Sequence, residues 1–207
     1  RPGAVLAEIA SLKIDVIEPL KEASGRRVKP LCLHPMFGPS IRRLDNKTVA
    51  VIPINDKDAE KRMGQKLFPG ADLLTLEAKT HDRCMAAILS LPYLMNLAYA
   101  GTLTGFDLGL LSKLGGSTFA LQYTLSQSIV GENTDLVRAI LYGNSFLDEH
   151  FKQFASQLKE IFNSVSEEDR FSSLHGGLKT HLQQDPGYRN ADERRRKAFN
   201  TVKNLEA

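Results

Sequence analysis

The 207 residues are enough for one or two domains with buried cores. With 42% hydrophobic and 25% charged residues the composition is that of a folded globular protein, which excludes disordered and fibrous classes. A dispersed net charge of +3 lacks the basic footprint of a nucleic-acid binder, and two cysteines, Cys32 and Cys84, are too few for a disulfide framework; both read as reduced core thiols of a cytoplasmic protein.

The opening RPGAVLAEIASLK has no charged region followed by a long apolar one, so no secretory signal is expected. Ala4 to Ile9 reads as a short buried strand, Ile14 to Ala23 as a helix ending near Ser24-Gly25, and Pro30 to Leu33 as a second strand. Lys47 to Ile54 is the clearest strand. Asp56 then caps a helix running to about Phe68, with Ala59, Met63 and Leu67 on one face. Pro69-Gly70 punctuates the chain before a further strand, Asp72 to Leu76. Strands alternating with helices of this length predict βαβ units and a mostly parallel sheet.

Beyond residue 76 the pattern is helical only. Thr80 is the expected cap of a long helix, with Asp82 in its first turn where a negative charge suits the helix dipole. Cys84 to Phe106 carries no charge and is long enough to span a bilayer, but Ser90, Pro92, Asn96, Thr102 and Thr104 interrupt it; a helix buried in a helical domain is expected, and no membrane. Further helices are predicted over Ser117 to Val130, Thr134 to Tyr142 and Ser145 to Phe162. The last has Ser145 and Asp148 in capping-box spacing and an apolar stripe of Phe146, Phe151, Phe154, Leu158 and Ile161. The tail from Glu167 is polar, with one last helix over Ala191 to Leu205. Its Arg194 to Lys197 run, balanced by Asp192 and Glu193, reads as a solvated helix face. The expected organisation is an α/β part, 1–76, followed by an all-α part, 77–207.

Three runs carry chemistry. In LCLHPMFGPS, Leu31 to Ser40, His34 leaves a buried strand for a loop shaped by Gly38 and Pro39, at the strand edge where open α/β sheets bind ligands; the residue types alone leave His34 either structural or catalytic. EIASLK puts Ser11 and Lys13 at the end of another strand, where Ser11 is either a helix cap or a hydrogen-bond partner fixing the His34 tautomer. THDRCMAAILSLPY opens with His81 and Asp82, His81 reading as a capping or hinge residue, and ends with Pro92, which bends a helix, and Tyr93. His150, His175 and His181 have no metal-ligand spacing, and no metal is expected.

EIASLK, LHPMFGP and THDR with SLPY one helix later resemble prephenate dehydrogenase in order and spacing, over about Val5 to Phe162. The resemblance implies a partial Rossmann-like nucleotide-binding sheet over 1–76 and a helical substrate-binding and dimerisation domain over 77–207. It implies an NAD- or NADP-dependent oxidoreductase of tyrosine biosynthesis that decarboxylates prephenate, or arogenate, with tyrosine a candidate inhibitor and a homodimer formed through the helical part. His34 stands at the family's catalytic histidine and Ser11 at its serine; Ser11 and Pro35 would also touch the cofactor. Lys13, Gly38, Arg42, Arg43, Tyr93 and Ser128 fall at substrate positions. The sequence departs from the family pattern at Tyr93, where a histidine is frequent, and at Ser128, where a carboxylate-binding arginine stands; Arg42, Arg43 or Lys13 are the substitutes expected to meet a carboxylate.

GxGxxG occurs nowhere in the sequence, so the N-terminal half of a dinucleotide domain is expected to lie outside it. The same feature, with Ser128, motivates the alternative of a catalytically silent helical dimerisation or effector-binding module. The joint presence of Ser11 and His34 favours the enzyme.

Overall fold

The structure, a computed structural model, describes residues 3–38 and 40–205. They form two compact units, one from the chain up to Ser90 together with Arg138–Leu147, the other from Leu91–Val137 and the chain from Asp148 onward.

The first unit is built on strands β1 (Val5–Glu8), β2 (Lys29–Pro35), β3 (Thr48–Ile52) and β4 (Asp72–Thr75), side by side in that order. Helix α1 (Ile14–Ser24) connects β1 to β2 and helix α2 (Lys57–Leu67) connects β3 to β4, and both pairs are parallel as such crossovers require. No helix lies between β2 and β3. The chain turns back through residues 36–47, so that pair is antiparallel: the sheet is mixed, with the two βαβ pairs parallel as expected and the central pair not.

Alternation along β2 and β3 gives the sheet two apolar faces. Leu31, Leu33, Val49 and Val51 pack against Met63 and Phe68, on the α2 side. Cys32, Ala50 and Ile52 pack against Val16, Ile17 and Leu20 of α1. His34, two residues on from Cys32 and paired with Ala50, falls on the α1 face.

Helix α2 is fastened at its start by polar groups. The Asp56 side chain accepts from the amides of Asp58 and Ala59, as predicted, and the buried Glu60 carboxylate accepts from Ile54, Asn55 and Asp56 at 2.8 to 3.0 Å. Gly64 lets the helix lie close on the sheet; a Cβ there would stand 3.1 Å from the Leu73 side chain. Gly70, at φ +89°, makes the turn after Pro69 in a conformation that favours glycine.

Helix α3 (Ala78–Met85) passes through a π-helical turn, Ala86–Ser90, into α4 (Leu91–Thr102). Pro92 has no amide hydrogen to close an α-helical turn onto Ile88, and the wider π turn falls just before it. Thr80 is inside α3 rather than capping it, because the helix already starts after Glu77. Ala78–Thr102 is the one helix among the described residues long and apolar enough to cross a membrane. Only 22% of its apolar window is buried within this chain.

In the second unit α4 packs on α6 (Ser117–Val130). Asn96 Oδ1 accepts from Gln122 Nε2 at 2.8 Å and Ser126 Oγ at 2.9 Å, which satisfies the buried polar atoms of this contact. Helices α5 (Leu108–Leu114), α7 (Thr134–Tyr142), α8 (Leu147–Ser164), α9 (Glu168–Leu182) and α10 (Ala191–Leu205) complete the helical complement. α6, α7 and α10 have the predicted bounds. α5 and α9 were not foreseen, and α9, with Gly176-Gly177 in its middle, lies in the tail read as polar, with a single helix at its end. Asn144, whose Oδ1 accepts from the Phe146 amide, makes the turn into α8 in place of Ser145. The cationic run of α10 is paired along its own helix, Arg195 and Arg196 with Asp192 and Lys197 with Glu193. Cys32 is buried, but Cys84, expected in the core, is exposed.

Candidate active site

A cleft of about 620 Å³ opens in the first unit where β2 ends. Ser11, His34, Pro35, Gly38, Arg42 and Arg43 line it, with Ile9, Phe37 and Phe68 as apolar walls. Six of the residues singled out in the sequence thus share one cavity. Pro39, expected to close the turn with Gly38, is outside the described residues.

His34 is 8% exposed. Its Nδ1 lies 2.9 Å from Nε2 of His81, with the rings edge-on at 65°. Nδ1 of His81 lies 2.7 Å from Asp82 Oδ1, and both of these residues are buried. Asp82 is held in turn by the start of α1: the Lys13 amide donates to both its oxygens at 2.9 and 3.0 Å, and the Ile14 amide donates to Oδ2 at 2.8 Å. The carboxylate thereby satisfies amides that open a helix, the position where a negative charge is most favourable. Asn144 Nδ2 donates to the Asp82 carbonyl at 2.9 Å, securing the backbone behind it.

Burial is the main reason that the His34 pKa is pushed down from 6.5 to about 4. His81 and the Lys13 ammonium add to the effect and Asp82 opposes it. The ring is therefore neutral at pH 7. Nε2 has no hydrogen-bond partner among the described residues and is not a sealed-off polar atom, so it opens on the cleft as the group available for proton transfer.

Ser11, a candidate partner of His34, is half-buried in the same cleft and makes no hydrogen bond to it among the described residues; His34 Nδ1 is engaged by His81 instead. Lys13, a candidate for a substrate carboxylate, is fully buried, its ammonium donating to Glu8 Oε2 at 2.8 Å and to the Leu33 carbonyl at 2.5 Å. A buried cation is stable only when paired, and this one is already committed. Glu8 also accepts from Cys32 Sγ at 3.3 Å, and burial pushes that thiol up to about 12, keeping it protonated. Arg43 is paired with Asp45 at 2.9 Å, whereas Arg42 makes no ion pair among the described residues and is the freer cation of the cleft. Tyr93, half-buried on α4, and Ser128, exposed on α6, belong to the second unit.

Residues 77–180 match the family model for the prephenate dehydrogenase dimerization domain, half of the chain. The chain belongs to the prephenate dehydrogenase family. Among its relatives, the probable arogenate/prephenate dehydrogenase of Methanocaldococcus jannaschii is 26% identical over 177 residues, 82% of this chain and 40% of that protein. The 4-amino-4-deoxyprephenate dehydrogenase of Streptomyces pristinaespiralis is 32% identical over 113 residues, 54% of this chain and 36% of that protein. The chain therefore spans less than half the length of either relative.

Solved structures show the same fold. Synechocystis arogenate dehydrogenase superposes with a TM-score of 0.68 over 89% of this chain and 69% of its own, at 20% identity. Aquifex aeolicus prephenate dehydrogenase, solved with hydroxyphenyl propionate and NAD+, gives 0.64 over 88% and 68%, at 18% identity. The α/β-then-helical fold class, with a Rossmann-like sheet and a helical domain, is the fold of this family. His81, read from sequence as a capping or hinge residue, and Asp82, read as serving its helix dipole, were not foreseen as partners of His34. The signal available was the HD pair itself, standing just before the uncharged run Cys84 to Phe106, where a charged residue that becomes buried needs a partner.

Proposed function

We propose that this chain supplies the catalytic histidine and the helical domain of an NAD- or NADP-dependent oxidoreductase that converts prephenate, or arogenate, to its aromatic product. The observation that carries the reading is His34 itself, a neutral imidazole whose Nε2 opens on a cleft shared with Ser11 and Arg42. Residues 1–76 then act as the end of the nucleotide-binding domain and 77–207 as the substrate-binding and dimerisation domain. The start of the family match at residue 77 supports that division.

His34 accepts the proton of the ring C4 hydroxyl as C4 becomes carbonyl-like. The C4–H pair leaves as hydride, the bond from C1 to the departing carboxylate supplies the electrons that aromatise the ring, and His34 returns its proton to the phenol oxygen. Ser11 lines the same cleft and orients the hydroxyl. Arg42 suits a substrate carboxylate, since guanidinium and carboxylate pair in a bidentate fork. Pro35 and Phe37 offer a flat apolar wall for the nicotinamide ring, which when bound supplies the hydride acceptor. The residues present fit that reactive end of the dinucleotide; no glycine-rich phosphate loop is in the sequence. A biosynthetic oxidoreductase with free thiols fits a reducing, cytoplasmic setting.

The test is turnover by the full-length protein with prephenate and arogenate, each with NAD and NADP and with tyrosine added as a candidate inhibitor. His34→Asn is expected to lower kcat by about 100-fold or more, the scale of general-base loss, with KM nearly unchanged. Wild-type turnover in that variant would remove His34 from the chemistry. No turnover by the wild type under any combination would favour the silent dimerisation module.

A further inference from the structure

We propose that Asp82 and His81 are positioning residues that set the tautomer of His34, so that its Nε2 and not its Nδ1 is the base. The tautomer assignment stands on the hydrogen-bond geometry with one proton on His81, and its catalytic consequence rests on the function proposed above.

Backbone amides can only donate. Both oxygens of Asp82 receive the amides of Lys13 and Ile14, so the carboxylate acts as an acceptor throughout. The hydrogen in the 2.7 Å contact to His81 must then come from His81 Nδ1. A His81 ring carrying one proton presents a bare Nε2 to His34, and the 2.9 Å contact between the rings requires His34 Nδ1 to be the donor. His34 is left with its lone pair on Nε2, facing the cleft. Each step follows from the last, and the chain of hydrogen bonds starts from two amides whose positions are fixed by the start of α1.

The arrangement also prepares the ring for the proton it takes. An imidazolium at His34 keeps its Nδ1–H donated to His81, whose own Nδ1–H remains on Asp82, so the new charge lies two hydrogen bonds from a carboxylate. Glu8 balances the ammonium of Lys13. Without Asp82, His81 Nδ1 has no acceptor among the described residues, and the more common Nε2–H form of His81 would donate to His34 Nδ1 and leave the His34 hydrogen on Nε2, the wrong atom for a base.

The experiment is long-range 1H–15N correlation of the imidazole nitrogens in the 15N-labelled protein at pH 7, on wild type, Asp82→Asn, His81→Gln and His81→Leu. Wild type is expected to show His34 and His81 both protonated at Nδ1. Asp82→Asn is expected to move both rings to the Nε2–H form. His81→Gln, whose carbonyl oxygen can take the place of Nε2 as acceptor, keeps the His34 pattern, and His81→Leu loses it. A wild-type His34 protonated at Nε2, or a His34 pattern unchanged in His81→Leu, overturns the proposal. If Asp82→Asn does not fold, the wild-type spectrum and the Gln/Leu pair decide alone. In the full-length enzyme His81→Leu is expected to lower kcat by about 100-fold with KM little changed, and His81→Gln to recover most of it. Full turnover in His81→Leu overturns the catalytic consequence. Absence of turnover in the wild type counts against the proposed function and leaves the tautomer result standing on its own.

Discussion

A proton placed on His34 enters a ring that is 8% exposed and lies beside a second imidazole and a buried ammonium. The folded pKa of about 4 is below the ordinary 6.5, so between those values the unfolded chain binds more protons than the folded one. The stabilisation held by the neutral ring is therefore fully present above about pH 6.5 and is lost as the pH falls toward 4. Thermal melts across this window are expected to show a falling Tm with a shallower slope in His34→Asn; equal slopes in the two proteins would mean that His34 does not titrate this way. His34 was legible in the sequence because strand, histidine, proline and glycine are consecutive, a local signal. Its partners were not. His81 is 47 positions away, and Asp82, read as serving the dipole of its own helix, serves the amides of Lys13 and Ile14 instead. A carboxylate near a helix start advertises a capping role without saying which helix it caps.

At the level of elements, α2 and the sheet meet through Gly64, where the helix has no side chain between its backbone and Leu73 and Leu33. Alanine there would gain helix propensity of up to about 1 kcal/mol against a 3.1 Å contact that its neighbours must relieve, and the two effects oppose each other. Valine adds two methyl groups to a space that barely admits one. Gly64→Val is therefore expected to destabilise the protein by about 1–3 kcal/mol, seen as a lower urea midpoint at unchanged slope. An unchanged midpoint would show that α2 can move off the sheet freely. The elements most readable in sequence were those with local punctuation: Asp56 before α2, Pro69-Gly70 before β4, and the glycine and polar breaks bounding α6 and α7. The antiparallel β2–β3 pair was not readable, because the loop between them carries no signal for the direction in which the next strand is added. α9 was missed because its charged residues and paired glycines resemble an irregular tail, and tertiary contacts such as Arg170 with Glu160 of α8 at 2.8 Å favour the helix where propensity alone does not.

For the molecule as a whole, the helical unit leaves more apolar surface uncovered than one chain can hide. On α8, Phe151, Leu158 and Phe162 are 45%, 57% and 79% exposed, and Leu125 and Val130 of α6 are exposed as well. The stripe on α8 is the one legible in the sequence at helical spacing; spacing reveals that a face is apolar, not whether the same chain covers it. Both helices lie within the residues that match the family's dimerization domain, and a second copy of this chain is the cover proposed for them. Burying a phenylalanine and a leucine against a partner stabilises the pair by a few kcal/mol at most interfaces, and a carboxylate in their place would have to be desolvated without a counter-ion. Leu158→Asp combined with Phe162→Asp is expected to weaken self-association by about 2 kcal/mol or more, roughly 30-fold in Kd. Sedimentation equilibrium measures this directly, and far-UV circular dichroism separates it from unfolding, since both side chains face outward from α8. A wild type that sediments as a monomer at micromolar concentration, or a double variant that associates as tightly as wild type, would place the dimer contact on some other face of the helical unit.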